Sequence, residues 1–381
     1  MPDRKQNVVI ADDFSGAAEI AGFAWQSGKS VELLTAVPNE QPNADVVVID
    51  TDTRLLPDSA AAERVAEVGR VVAGWRPDFI YKKVDSVLRG PVVAEIHAAL
   101  EALGKERAVL VSANPSRNRI ISDGIYFVDG VPLHETSFAN DPTHPAMTSQ
   151  VSEILNADSR IHAPNAESKS DLKRIAERID SGGLPVGGAD FYRTLTSAQN
   201  SQPQSTLPFG DHVFICGSQI TRAERTAQFK ASNVPVCELH ESEETCVDLA
   251  INMLSDYHYV ALELSDELPL DPDLLLSRIA STTKLLVLRA TPDFLMLEGG
   301  ATAKAIIDAF EWRHFTVEGV FADGVVGLRA TSDNAIAVTA EGISKAPPLI
   351  VVKPGSYRWP DVLFHWTIYG RRGQSESVAK G

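Results

Sequence analysis

The sequence predicts an α/β protein of two domains, each with a mostly parallel sheet flanked by helices. A chain of 381 residues is longer than one hydrophobic core ordinarily supports, which favours two domains. Short strand-like apolar runs alternate with segments of helical spacing, the pattern of a parallel sheet with crossover helices. Strand after strand also ends in a polar turn, and open α/β sheets build their ligand sites at such carboxyl ends. The expected domains are residues 1–200 and 211–372, with the polar, proline-containing stretch TSAQNSQPQSTLPFGD at 196–211 as the linker and 373–381 as a disordered tail.

The first strand, Val8 to Ala11, runs into Asp12, Asp13, Phe14, Ser15 and Gly16, and a helix is expected from about Ala17 to Ser27, with Gly28 as its stop. Ser30 to Thr35 and Val46 to Ile49 read as strands, the second ending in Asp50, Thr51, Asp52, Thr53 and Arg54. Ser59 to Trp75 has Val65, Val68 and Val72 on a common helical face. It feeds FIYKKVDSVLRG, Phe79 to Gly90, where strand-forming residues end in a run of charged and hydroxyl side chains. Neighbouring strand residues point to opposite faces, so Lys82 and Lys83 cannot share one core, and at least one is expected to reach a strand end or cleft. Pro91 suits a first helical turn, Val92, Ile96, Leu100 and Leu103 keep helical spacing, and Gly104 suits the end. Ala108 to Ser112 is the next strand. The polar segment ANPSRNR, a hairpin from Ile125 to Leu133 turning at Asp129 and Gly130, and a loop, HETSFANDPTHPA, with His134, Asp141 and His144 follow. Helical patterns recur at Thr148 to Leu155 and Asp171 to Ile179.

After the linker the alternation restarts with a strand at His212 to Cys216, which ends in Gly217 and Ser218 before a helix from Arg222 to Ala231. Strands at Val236 to Leu239 and Tyr259 to Leu264 flank another helix, and Asp271 to Arg289 is a long helical pattern. Phe294 to Leu297 ends in GGATAKAIIDAF, where Gly299 and Gly300 allow close approach to a ligand and the free amides of the following helix suit a phosphate. The last strand, Leu349 to Val352, runs into Lys353, Pro354, Gly355 and Ser356.

The formal charge is −16, from 35 basic and 51 acidic residues, and argues against nonspecific binding to nucleic acid or anionic membrane. An anionic ligand then needs a local basic pocket. Cys216, Cys237 and Cys246 have no close-paired metal-ligand spacing, and so few suit a reducing compartment. The opening MPDRKQNVVIADD lacks the apolar core of a signal peptide and no run is long enough to span a membrane, so a cytoplasmic location is expected. The nine histidines are scattered, and neither a nucleophilic triad nor a zinc site is defensible.

In the N-terminal half, Asp12 and Asp13, the cations Arg54, Lys82, Lys83 and Arg89, and the hydroxyls Ser15 and Ser86 suit a small polyhydroxy acid. Cations would hold its carboxylate and an aspartate would orient or deprotonate a hydroxyl. The glycine-rich strand ends of the C-terminal half suit a nucleotide phosphate chain, so the two halves together suggest phosphoryl transfer across a cleft.

The order ADDFSGA, DTDTR, YKKVDSVLRG, GVPLHETSFANDP, CGSQIT, GGATA and KPGS resembles the four-carbon acid sugar kinases over nearly the whole chain. The resemblance implies ATP- and Mg2+-dependent phosphorylation of an acid such as threonate or erythronate, bound by the N-terminal domain, with the nucleotide on the C-terminal one. Carried over by motif, the acid would be held by Asp12, Arg54 and the run Lys82, Lys83, Val84 and Asp85, with Asp13, Ser86 and Arg89 beside them. The base would be Asp12 or Asp85. The nucleotide would meet Ser218, the turn Gly299, Gly300, Ala301 and Thr302, then Lys353 and Gly355. Three departures fall against this pattern: Ala301 where the family has an acidic residue in GG(D/E)TA, KPGSYR in place of KSGGFG, and Ala113, Asn114 and Pro115 in place of alanine, phenylalanine and proline. Two competing readings are a catalytically weak acid-sugar-binding paralogue and a haloacid-dehalogenase-type phosphatase using Asp50 and Asp52. Expected partners are the sugar acid and ATP, with no nucleic acid and no membrane, and with a homo-oligomer left open.

Overall fold

The computed structural model describes residues 6–38, 40–141, 143–197, 205–217, 222–239, 242–265, 271–331, 337–338, 344–355 and 357–364. Ser218, Ser356 and the tail 373–381 lie outside the described residues. The chain divides into two compact units, Met1–Gln202 and Pro203–Gly381.

The N-terminal unit begins with β1 (Asn7–Ala11), α1 (Phe14–Gln26), β2 (Val31–Leu34), β3 (Val46–Asp50), α2 (Asp58–Trp75), β4 (Phe79–Lys83), α3 (Val92–Leu103) and β5 (Arg107–Val111). The strands β6 (Arg119–Ser122), β7 (Ile125–Val128) and β8 (Val131–Pro132) form a small antiparallel sheet. Then come α4 (Val151–Ile154), β9 (Ile161–His162), α5 (Lys169–Ala176), β10 (Gly183–Gly187) and α6 (Ala189–Leu195). The main sheet of this unit runs β2-β3-β1-β4-β10-β5-β9, every pair parallel. Strand residues of one parity, Val8, Ile10, Val47 and Ile49, pack with Val68 and Val72 of α2, as the period-two and period-3.6 patterns require. Those of the other parity face α1 and α6; Tyr81 meets Phe191 and Tyr192 of α6.

The C-terminal unit contains β11 (His212–Cys216), α7 (Arg222–Ala231), β12 (Val236–Leu239), α8 (Glu243–Tyr257), β13 (Tyr259–Leu264), α9 (Pro272–Ala290), β14 (Phe294–Glu298) and α10 (Gly300–Ala309). The remaining strands are β15 (His314–Ala322), β16 (Val325–Ala330), the short pair β17 (Ala337–Val338) and β18 (Ser344–Lys345), and β19 (Leu349–Lys353). Its main sheet runs β12-β13-β11-β14-β19-β16-β15. The β12-to-β19 portion is parallel, and β16 is antiparallel to both of its neighbours. Phe214, Phe229, Trp359 and Phe364 form an aromatic cluster over one face. Among the described residues no helix is long and apolar enough to cross a membrane.

Several element boundaries depart from the sequence expectation. Helix α1 starts at Phe14 rather than Ala17, because Asp13 caps it by accepting from the Gly16 amide at 2.9 Å, an interaction worth about 1 kcal/mol. The ANPSRNR segment ends in β6. The pattern at 148–155 is helical only over Val151–Ile154. Strand β10, GLPVG, was not foreseen, because two glycines and a proline are a loop composition. The antiparallel pair β15 and β16 was likewise missed.

Candidate functional site

In-register pairing brings three strand ends together: Ala11 of β1 lies opposite Asp50 of β3 and Lys83 of β4. The loops that follow are then tied to one another. The amides of Thr53 and Arg54 both donate to the Asp12 carbonyl, at 2.9 and 3.2 Å. Gly90 stands at φ +90, and a Cβ there would come within 2.8 Å of the Arg54 carbonyl oxygen, so only glycine lets these loops touch.

Arg54 is the hub. Its Nε donates to Asp12 Oδ2 at 2.8 Å, one Nη donates to Asp13 Oδ1 at 2.6 Å, and the other lies 3.7 Å from Asp85 Oδ1. Asp13 also accepts from Ser15 Oγ at 2.6 Å. Burial alone would raise the Asp12 carboxyl, but the Arg54 guanidinium, with Lys83 and Lys82, holds it below its ordinary value. Among the described residues, Asp12 Oδ1 nevertheless has no hydrogen-bond partner and is buried. Asp85 differs, because it accepts from Arg89 through Nε and Nη2, both at 3.0 Å, and from the backbone amides of Val87 and Arg89. Burial would raise Asp85 too, yet Arg89 and Arg54 hold it well below the usual carboxylate range.

Lys82 and Lys83 leave β4 on opposite faces, and both are buried. Lys82 Nζ pairs with Glu95 Oε2 of α3 at 2.6 Å and donates to the Lys83 carbonyl. Lys83 Nζ lies against Gly16 at the start of α1 and donates to the Val84 carbonyl at 2.9 Å. Among the described residues no carboxylate lies within ion-pair distance of Lys83 Nζ, in contrast to Lys82, Arg54 and Arg89. Ser86 Oγ accepts from Arg119 and its carbonyl from Tyr126.

The loop at 134–146 packs against this cluster. Asp141 Oδ2 accepts from Arg89 at 3.1 Å, His144 Nε2 donates to the Arg54 carbonyl at 2.9 Å, and the Phe138 ring has Arg89 and Arg119 over it, each 5.5 Å from its centroid. His134 is turned to Ser149. Sequence reading did not single out Glu95, Arg119 or Phe138. The only signal for Glu95 was its position, one turn inside the helix that follows the two lysines. At the end of β3, Asp50 Oδ1 accepts from the Asp52 amide at 3.0 Å and Asp52 stands at φ +48.

In the C-terminal unit Gly299, at φ +91, precedes α10, and its amide donates to the Lys353 carbonyl at 2.8 Å. A Cβ on Gly299 would meet only the Cα of Gly355, at 3.9 Å, so the two glycine turns face each other. Thr302 is buried beside Gly217, and Ala301 is exposed. Lys353 is buried, donates to the Pro354 and Tyr357 carbonyls, and lies 3.6 Å from Glu298. Among the described residues no three His, Cys, Asp or Glu side chains gather to hold a metal.

Residues 7–190 match the family model of the sugar-binding N-terminal domain. The chain is 37% identical over 156 residues to a D-threonate kinase of Salmonella typhimurium, covering 40% of this chain and 37% of that one. It is 36% identical over 158 residues to a D-erythronate kinase of Heliobacterium modesticaldum, covering 40% and 36%. A 3-oxo-tetronate kinase of Brucella melitensis is 37% identical over 188 residues, covering 46% and 43%. These matches support the four-carbon acid sugar kinase family for the chain. It spans less than half the length of these curated relatives of the acid sugar kinase family. The fold is shared with crystal structures of a Salmonella typhimurium protein (TM-score 0.75, 18% identity, 97% of this chain and 99% of that one) and a Haemophilus influenzae protein (TM-score 0.67, 20% identity, 95% and 99%).

Proposed function

We propose that the chain is an ATP-dependent kinase that phosphorylates a hydroxyl of a four-carbon sugar acid. One observation carries the reading. Among the described residues, a buried carboxylate oxygen without a hydrogen-bond partner, Asp12 Oδ1, sits in a cluster whose Lys83 ammonium has no carboxylate within ion-pair distance. That pairing suits a substrate with a hydroxyl to deprotonate and a carboxylate to hold. In this mechanism the sugar-acid carboxylate lies by Lys83, and Arg54 keeps Asp12 ionised and oriented. The substrate hydroxyl oxygen attacks the γ-phosphorus of ATP, its proton passes to Asp12 Oδ1, and the bond to the β-phosphate oxygen breaks to release ADP. Asp85 acts by fixing Arg89 and, through it, Asp141 on the 134–146 loop.

The facing turns at Gly299 and Gly355 fit a phosphate chain, since neither carries a side chain that would fill the space and α10 begins there with free amides. Magnesium, which neutralises phosphate charge when bound, would depend on the phosphates and water for most of its ligands, because Ala301 supplies none and Glu298 is committed to Arg225 and Lys353. The test is a screen of threonate and erythronate stereoisomers for ADP release. Turnover of one of them is expected. No turnover on any sugar acid, with ATP binding also absent, overturns the kinase. The exposed Ala301 favours a second reading, an acid-sugar-binding protein of weak activity. Thermal stabilisation by a sugar acid without ADP formation would select it.

A further inference from the structure

Four neighbouring parallel strands of the C-terminal unit, β13, β11, β14 and β19, carry Glu263, Cys216, Glu298 and Lys353 near their carboxyl ends. Pairing sets Cys216 opposite both Glu263 and Glu298, and Glu298 opposite Lys353, so the four stand in one row across the sheet. Residues so paired project from the same face. None is more than 4% exposed. Arg225 of α7 closes the row, its Nε 2.8 Å from Glu263 Oε1 and its Nη1 2.9 Å from Glu298 Oε1. Lys353 Nζ lies 3.6 Å from the same Glu298 oxygen. Two acids and two bases are thus enclosed in the wall of an apolar core that holds Phe214, Met296 and Trp359.

Enclosing such a set is costly, and well-packed apolar residues usually stabilise a core as well or better. What this set does that apolar residues cannot is hold backbone. Lys353 Nζ donates to the Pro354 and Tyr357 carbonyls, closing the turn that carries Gly355. The Lys353 carbonyl in turn accepts the Gly299 amide at 2.8 Å. Glu298 immediately precedes the Gly299 turn, and Arg225 lies on the helix that follows β11. One buried network therefore ties down the turns after β14 and β19.

We propose that Glu298 and Lys353 are positioning residues that set the two glycine turns for the phosphate chain of a nucleoside triphosphate, a role that rests on the nucleotide reading of the C-terminal unit. In place of the direct contact that the family resemblance implies for Lys353, both side chains are buried, Glu298 against Arg225 and Lys353 against the Pro354 and Tyr357 carbonyls. Both act through the geometry of Gly299 and Gly355. The experiment is calorimetric titration of the full chain with ATP and ADP, together with steady-state kinetics, for Glu298→Gln and Lys353→Arg. Lys353→Arg keeps the charge facing Glu298 but not the ammonium geometry at the two carbonyls, so it remains informative if the glutamine variant does not fold. Each variant is expected to weaken ATP affinity, and to raise KM for ATP, by tenfold or more, with KM for the sugar acid unchanged. Wild-type ATP binding together with unchanged ATP affinity in a folded variant overturns the positioning role alone. No nucleotide binding by the wild-type chain overturns both this role and the kinase reading. An equal loss for ATP and sugar acid assigns the network to general stability and also overturns the role.

Discussion

Arg54 Nε holds Asp12 through Oδ2 at 2.8 Å, while Asp12 Oδ1 stays buried with no hydrogen-bond partner among the described residues. Asp12→Asn is expected to lower kcat by about 100- to 10,000-fold with little change in KM for the acid, the scale of a lost general base. Near-normal kcat would remove Asp12 from the chemistry.

Asp85 leads to the opposite expectation. Two bonds from the Arg89 guanidinium and two from backbone amides leave it poorly suited to take a proton. Asp85→Asn should therefore raise KM for the acid more than it lowers kcat, by releasing Arg89 and the 134–146 loop. Steady-state kinetics separate the two effects, and a kcat loss matching that of Asp12→Asn would count against the assignment.

The two lysines of β4 should behave differently although they are adjacent. Lys82→Ala strands Glu95, which is 1% exposed, and should cost about 3–5 kcal/mol of stability in denaturant unfolding. Lys83→Ala removes an ammonium that has no carboxylate within ion-pair distance among the described residues, so its main effect should be weaker binding of the sugar acid. Unchanged acid affinity in Lys83→Ala would take the anion away from this residue.

Acid should weaken the C-terminal unit through His212. Its ring is buried between Tyr259 and Phe294, with centroids 4.5 and 4.4 Å away, and Nδ1 donates to the Gly210 carbonyl at 2.7 Å. Burial pushes this imidazole down to about 4 from its ordinary 6.5. The unfolded chain thus takes up a proton below pH 6.5 that the folded one refuses until about pH 4. The stability associated with neutral His212 is complete above the upper value and falls away toward the lower, by about 3 kcal/mol at most. His212→Phe should flatten that part of the profile in denaturant titrations at pH 7 and pH 4.5, and an unaltered slope would contradict the account.

Ala301 is exposed in the first turn of α10, where the resembling family carries an acid. If that acid contributes to holding magnesium, Ala301→Asp should lower the magnesium concentration for half-maximal rate or raise kcat. An unchanged magnesium titration in the folded variant would mean that the turn needs only its glycines and amides.

The strand ends that gather Asp12, Arg54 and the Lys82-to-Asp85 run could be read from residue pattern, because period-two apolar strands stop abruptly at charged turns. Opposite faces for Lys82 and Lys83 followed from the same period. That both would be buried did not follow, since Glu95 and Gly16, which receive them, lie on separate helices. Arg119 and Phe138 were unreadable for a related reason: only the pairing of β6 with β7 and the fold of a long loop bring them to Ser86 and Arg89. Strand β10 hid behind Pro185. Its ladder to β4 covers only Val186 and Gly187, leaving the residue without an N–H outside that pairing.

The placement of β10 has a consequence for how the N-terminal unit comes into being. Residues 183–187 are the last strand of that unit to be synthesised, yet they are inserted between β4 and β5, and the Gly187 carbonyl receives the Val84 amide at 3.2 Å. A nascent chain that stops short of them has the sequence of the site but an open flank beside the two lysines. Such long-range closure is slow relative to local contacts. Ribosome-bound chains ending before residue 183 should fail to retain a sugar acid, and extending them past β10 should switch retention on abruptly rather than in proportion to length.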